Sequence, residues 1–462
     1  MKFIKLFYPI LFLINTLQAY SQKTYESTWE SLDTRPIPAW FEDAKFGIFI
    51  HWGLFSVPSW APTEGGIYDK YAEWYWARLE NGEKPTQSFI DFHQKMYGVK
   101  FQYQDFANYF KTEMFNPDQW ADVFKNAGAK YVVLTSKHHE GFALWPSAQS
   151  SNWNSVDVGP HRDLCSDLTK SVKAKGLHMG FYYSLYEWFN PLYKSDVEKY
   201  VDDHMIPQLK DLVTRYQPDV LWTDGEWLQS SETWKSTQFL SWLYNESSVK
   251  NEIVINDRWG KETRGKHGGI YSTEYDLGEE VINSKNTIHH PWEECRGIGG
   301  SFGYNRNENL KDYETSESLI HILINKVARG GNLLLNVGPT SDGRIPVIQQ
   351  QRLSDIGNWL KINGEAIYNS RKWNAAPAVL ANSTNYFTRK GADLFLIVTK
   401  WEDTPIIVEG VKKTESVTML GYSGKISYSQ KGTKIIIIPP TLTPAINPCN
   451  YAWVYKLKSC LE

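Results

Sequence analysis

The chain has 462 residues, of which 42% are hydrophobic and 15% aromatic, with 20 tryptophans and a formal charge of −3. That length supports a large core and about two domains. The near-neutral balance excludes the electrostatic footprint of a nucleic-acid or anionic-membrane binder.

In chain order, Lys2 and Lys5 precede an apolar run from Leu6 to Leu17, and Ala19-Tyr20-Ser21 then offers small residues before Gln22. Residues 1–21 therefore read as an export signal, too short to span a bilayer. No cysteine follows to take a lipid anchor, and no later stretch is long and apolar enough for a membrane span. The expected protein is exported, to a periplasm or the exterior (to a lysosome or the exterior in a eukaryote), with a formal charge of −5 once the two lysines are removed.

Eight apolar runs follow: Phe46 to His51, Tyr131 to His138, Met179 to Ser184, Val220 to Asp224, Ile253 to Arg258, Ile270 to Glu274, Thr287 to Glu293, and Asn332 to Val337. Helical patterns lie between them. Asn116-Pro117-Asp118 starts one, Ser195 opens a long one through Leu212, and Ser316-Glu317-Ser318 opens another that Arg329-Gly330-Gly331 ends. Strands separated by helices pair in parallel, and eight such units predict a closed (β/α)8-like barrel over residues 22–370. An open doubly wound sheet is the alternative, but no Gly-rich dinucleotide loop follows the first strand. After a last helix, Ile348 to Ile362, residues 371–462 carry short β-rich runs between Gly, Asn, Ser and Pro, which predicts a C-terminal antiparallel β-sandwich. Of four cysteines, Cys449 and Cys460 lie close enough in sequence to bridge in an oxidising compartment, or to remain free.

Barrel chemistry sits at the carboxyl ends of the strands. The ends here are His51-Trp52-Gly53, His138-His139-Glu140, Tyr182-Tyr183-Ser184, Trp222-Thr223-Asp224, Asn256-Asp257-Arg258, Glu274-Tyr275-Asp276 and Trp292-Glu293-Glu294. Taken together they describe a polar pocket with aromatic walls. Three chemistries fit: a His/Asp metal site, sugar binding without catalysis, or two carboxylates flanking a glycosidic bond. The adjacent His138 and His139 argue against the metal, because neighbouring strand residues point to opposite faces and one would have to leave the strand. Asp224, between Trp222 and Trp227, is a candidate nucleophile beside aromatic faces that suit a sugar's C–H surface.

Several of these motifs also resemble the α-L-fucosidases of glycoside hydrolase family 29. They are Trp40-Phe41, Lys45 through Gly53, Glu73-Trp74-Tyr75, Lys137 through Phe142, Trp222-Thr223-Asp224-Gly225, Trp292-Glu293 and Gly303-Tyr304. The resemblance runs from about Trp40 to Tyr368. It implies a retaining exo-α-L-fucosidase acting through a covalent fucosyl-enzyme, with no metal and no cofactor. It also implies a fucosylated oligosaccharide or polysaccharide as substrate. Residue by residue, it implies Asp224 as nucleophile and Glu293 as acid/base, with Glu294 adjacent and Glu274 one strand earlier. His51, Glu73, Trp74, His138, His139, Tyr183, Trp222 and Arg258 match fucose-binding positions. Phe302 stands where many members carry tryptophan. A relaxed glycosidase that also accepts L-galactosides is the alternative activity.

Overall fold

The computed structural model describes residues 23–79, 85–277, 290–377 and 383–461. The expected export signal lies outside the described residues.

Eight parallel strands form one sheet: β1 (Phe46–Ile50), β2 (Tyr131–Lys137), β3 (His178–Ser184), β4 (Val220–Asp224), β5 (Val254–Ile255), β6 (Tyr271–Glu274), β7 (Trp292–Gly297) and β8 (Asn332–Val337). Their spatial order is β5-β4-β3-β2-β1-β8-β7-β6. Among the described residues the curl closes only by a parallel bridge between Asn256 and Ile270, so the (β/α)8-like barrel has a weak seam between β5 and β6.

Strand parity sorts the side chains into two layers. Phe49, Tyr131, Val133, Tyr182, Val220, Trp222, Cys295 and Leu334 share the cluster inside the sheet. Ile48, Ile50, Val132, Leu134, Phe181, Tyr183, Leu221, Leu333 and Leu335 pack against the surrounding helices instead. Gly47 is needed inside, because a Cβ there would stand 2.4 Å from the Tyr131 ring.

The helices form where caps and apolar faces coincide. In α1 (Pro117–Asn126) the Asn116 side chain accepts from the Gln119 amide at 3.1 Å, and Trp120 and Phe124 are buried. Asp163 caps α2 (Leu164–Ala174) in the same way. The long helix expected from Ser195 is instead interrupted. It enters a π-turn at Val201–Met205 and resumes as α3 (Ile206–Tyr216), because Pro207 has no amide to continue the ladder. Two further helices, α4 (Ser316–Ala328) and α5 (Val347–Asn363), lead to the end of the barrel.

The seventh strand differs most from expectation. Pro291, lacking an amide donor, stands at the strand entrance. The ladder therefore begins at Trp292 and runs to Gly297, so Glu293 is the second residue of β7 rather than its end. Thr287, where the sequence placed the start, lies outside the described residues.

Beyond the barrel, a five-stranded antiparallel sheet faces a three-stranded one across a core of Phe387, Leu394, Leu396, Ile435, Ile437, Tyr455 and Leu457. The Trp359 indole of α5 donates to the Ala452 carbonyl at 2.9 Å and ties the sandwich to the barrel. All four cysteines are free thiols, Cys449 and Cys460 included.

Candidate active site

A pocket of about 480 Å³ opens at the carboxyl ends of the strands, the size range of a small-molecule site. Its lining includes His51, Glu73, Trp74, His138, His139, Tyr182, Trp222, Asp224, Arg258, Glu274 and Phe302.

Asp224 is the last residue of β4, and the chain turns away at once through Gly225, whose φ is +75°. Its carboxylate is 8% exposed and held from several sides. Arg258 donates to Oδ1 at 2.8 Å and Tyr182 to Oδ2 at 3.0 Å, while Arg264 Nη2 lies 3.8 Å from Oδ1. Burial alone would raise its pKa. The Arg258 charge, followed by that of Arg264, outweighs that and holds the carboxyl well below the usual range. Asp224 is therefore ionised.

Arg258 leaves the short β5 and lies over the Trp222 ring, 4.4 Å from its centre. The same guanidinium reaches a second carboxylate, since Nη2 stands 3.5 Å from Glu274 Oε2. Glu274 ends β6, its side chain is 19% exposed to the pocket, and the Tyr71 hydroxyl donates to its Oε1 at 2.6 Å. Two carboxylates thus flank one guanidinium within the pocket.

Glu293 occupies a different level. It pairs in register with Asn332 at the start of β8, whereas Glu274 pairs with Cys295 at the pocket floor. Two residues of strand separate these levels, roughly 7 Å along β7. Glu293 is 1% exposed and is not among the lining residues. Beneath the floor it accepts from the Tyr131 hydroxyl and, at 3.2 Å, from the Trp222 indole. Burial pushes its pKa up to about 7 against those hydrogen bonds. Glu294 points outward and pairs with Arg296 at 2.7 Å and Lys326 at 2.5 Å. Neither residue reaches the pocket, although the sequence reading favoured Glu293.

The histidines follow β2 rather than lie within it, which resolves the parity objection: both His138 and His139 line the pocket. Ser184 Oγ donates to the Tyr186 carbonyl at 2.5 Å, so it accepts from His139 Nδ1 at 2.7 Å and leaves Nε2 unprotonated, 3.5 Å from the Tyr182 hydroxyl and 3.6 Å from Asp224 Oδ2. His51 is fixed likewise. Asn336 donates to the Phe302 carbonyl at 2.7 Å, so its Oδ1 accepts from His51 Nδ1 at 2.7 Å. Burial, with His138 adjacent, takes His51 down to about 3, and burial takes His139 well below its ordinary value. Both are neutral acceptors.

Glu73 and Trp74 come from a short 3-10 turn after β1. Glu73 Oε2 accepts from the Gly303 amide at 2.8 Å and from Ser301 Oγ at 3.2 Å. Tyr183, expected at the sugar, faces out of the barrel, where its hydroxyl donates to Gln208 at 2.8 Å. Its neighbour Tyr182 is the one that enters. Tyr182 pairs with the inward Trp222 across β3 and β4, a register that no signal within β3 itself reveals. Sequence reading also passed over Tyr71 and Arg264, which sit in loops with no periodic signal.

Comparison with known proteins follows from this geometry. Residues 12–365 match the family model described as Alpha-L-fucosidase, and residues 380–458 match the one described as Alpha-L-fucosidase C-terminal domain. A Dictyostelium discoideum α-L-fucosidase is 43% identical, covering 97% of this chain and 98% of its own. Human tissue α-L-fucosidase is 42% identical, covering 95% of this chain and 93% of its own. The crystal structure of Thermotoga maritima α-fucosidase in complex with a mechanism-based inhibitor superposes with a TM-score of 0.79 at 36% identity, covering 95% of this chain and all of that one. The complex of the same enzyme with fucose gives 0.77.

Proposed function

The chain belongs to the α-L-fucosidases of glycoside hydrolase family 29, and on that footing we propose that Asp224 and Glu274 divide the hydrolysis of a terminal α-L-fucosyl bond between them. The observation that carries the assignment is the shared guanidinium of Arg258, gripping one carboxylate at 2.8 Å and standing 3.5 Å from the other. A retaining mechanism needs two carboxyl groups about 5–5.5 Å apart across the reacting carbon. The clamp holds this pair on one guanidinium beside the pocket, whereas Glu293 lies under the floor.

In the first step Asp224 attacks the anomeric carbon, and the bond to the leaving oxygen breaks as Glu274 donates its proton. Esterification removes the negative charge of Asp224. Arg258 then stabilises the carboxylate that Glu274 has become, and that carboxylate takes a proton from the incoming water. Water adds at the same carbon, the ester bond breaks, and configuration is retained. Around the sugar, the unprotonated Nε2 atoms of His51 and His139 accept from hydroxyls, and Glu73 supplies a further acceptor. His138, Trp74, Trp222 and Phe302 give ring surface for the apolar face and the C5 methyl. Partners buried in this way discriminate strongly against sugars lacking the matching hydroxyls.

We read residues 22–370 as the catalytic unit and 371–462 as the sandwich, with residues 1–21 directing export. The supporting features are the basic start and apolar run at the N-terminus, and the tissue and plasma enzymes among the relatives. Among the described residues no helix is long and apolar enough to cross a membrane.

The test of the nucleophile is Asp224→Gly with an aryl α-L-fucoside and azide. Turnover falls by at least about a thousandfold, and azide restores it with inverted β-fucosyl azide as product. Retention of most of the activity by this variant would remove the assignment.

A further inference from the structure

Glu274 ends a strand that has little to hold it. β6 is four residues long and pairs along its length with β7. Toward β5, the described residues offer only the bridge between Asn256 and Ile270, which comes before the strand begins. Arg258 and Tyr71 meet the tip of the Glu274 carboxylate, but neither fixes the backbone that carries it. A misplacement of about 1 Å is enough to cost a proton donor most of its effect.

The chain reverses immediately after Glu274. The Leu277 amide donates to the Glu274 carbonyl at 2.8 Å, and the two residues between them, Tyr275 and Asp276, have φ of +48° and +66°. Two successive left-handed residues suit glycine or asparagine, whereas a tyrosine is strained there by its Cβ. The strain persists because both side chains are tied down. The Tyr275 hydroxyl accepts from the Gly297 amide at 2.9 Å and donates to the Gly299 carbonyl at 3.1 Å. A Cβ on Gly297 would stand 2.6 Å from that hydroxyl, so glycine is what admits the ring. Asp276 turns the other way, away from the pocket. Arg296 Nη2 donates to its Oδ2 at 2.7 Å, and Lys326 of α4 donates to its Oδ1. These cations are 7% and 2% exposed, and Glu294 binds both of them, Arg296 at 2.7 Å and Lys326 at 2.5 Å. Burial alone would raise the Asp276 pKa; Lys326 and Arg296 outweigh it and hold the carboxyl well below the usual range.

We propose that Asp276 is a positioning residue for the acid/base: docked on Arg296 and Lys326, it locks the left-handed turn that aims Glu274 into the pocket. Released from those cations, the turn relaxes toward ordinary backbone angles, and Glu274 leaves the place where it meets the departing oxygen. Asp276 does not line the pocket, so its influence runs through Glu274 alone. Glu294, which faces away from the sugar, serves the same end by holding the two cations still. This rests on Glu274 being the acid/base.

A ratio of two rates tests this. kcat/KM is measured on a fucosyl disaccharide, whose leaving group needs a proton, and on a 2,4-dinitrophenyl fucoside, whose leaving group does not. A smaller folded fraction lowers both alike and leaves their ratio unchanged. Asp276→Ala lowers the disaccharide value about tenfold and the dinitrophenyl value less than about twofold. Asp276→Asn, which tolerates a left-handed backbone and still offers an oxygen to one cation, recovers part of the loss. In a Glu274→Ala background, Asp276→Ala leaves the ratio where it was, because no acid remains to be misplaced. A ratio that Asp276→Ala leaves unchanged in the otherwise unaltered enzyme, or shifts as far in the Glu274→Ala background, would overturn the positioning role. Glu274→Ala itself acting equally on the two substrates would instead overturn the acid/base on which it rests.

Discussion

Replacing Glu274 by alanine separates the two candidate acids. General acid assistance contributes about 10²–10⁴-fold when the leaving group is a poor one. Glu274→Ala should therefore lower kcat/KM on a fucosyl disaccharide by that factor, and far less on a 2,4-dinitrophenyl fucoside, whose leaving group needs no proton. The side chain is 19% exposed to the pocket, so its removal opens a space that azide enters from solvent. Azide then attacks the intermediate from the vacated side and yields α-fucosyl azide, with retained configuration. Glu293→Ala behaves differently. It leaves the Tyr131 hydroxyl and the Trp222 indole unpaired beneath the floor, at a cost of about 1–3 kcal/mol each. The variant is expected to unfold at lower temperature and to form no azide product, because the Trp222 ring stands between that space and the substrate. The assay is chromatography of the azide products alongside a leaving-group series. Azide product from Glu293→Ala and none from Glu274→Ala would refute the reasoning.

The tyrosine pair on β3 gives a second contrast: Tyr182→Phe removes a 3.0 Å hydrogen bond to the nucleophile and lowers kcat/KM about 10–100-fold. Tyr183→Phe loses only its bond to Gln208, leaving KM within about twofold while stability falls by about 1 kcal/mol; steady-state kinetics and thermal melts read both. Glu293 also makes stability depend on pH. Its folded pKa of about 7 lies above the ordinary 4.5, so its contribution is fully present below pH 4.5 and is lost as pH rises through 7. Glu293→Gln, permanently neutral, should flatten that decline by about 3 kcal/mol between the two limits, as followed by denaturant unfolding at pH 4.5 and pH 8. Identical slopes in the two proteins would show that Glu293 is not buried as described.

Much of this site could be read from residue order. Period-2 and period-3.6 patterns mark eight strands between helices, and barrel geometry sends the strand ends to one face. His51, His138, His139, Asp224 and Arg258 could therefore be gathered into one pocket before any coordinates existed, and their spacing matched a known family. Those inferences hold because local propensity and binary patterning are properties of short stretches of chain. Level and direction within the barrel are not. Whether an acid lies at the floor or below it depends on where a strand enters the ladder, and Pro291 delayed that entry enough to bury Glu293. Whether Tyr182 or Tyr183 faces the sugar depends on register against β4. The union of Asp224 and Glu274 through one guanidinium depends on the curl of the whole sheet, which brings residues 50 positions apart in sequence to one pocket. Register and closure are set by long-range pairing, and only the assembled tertiary structure decides them.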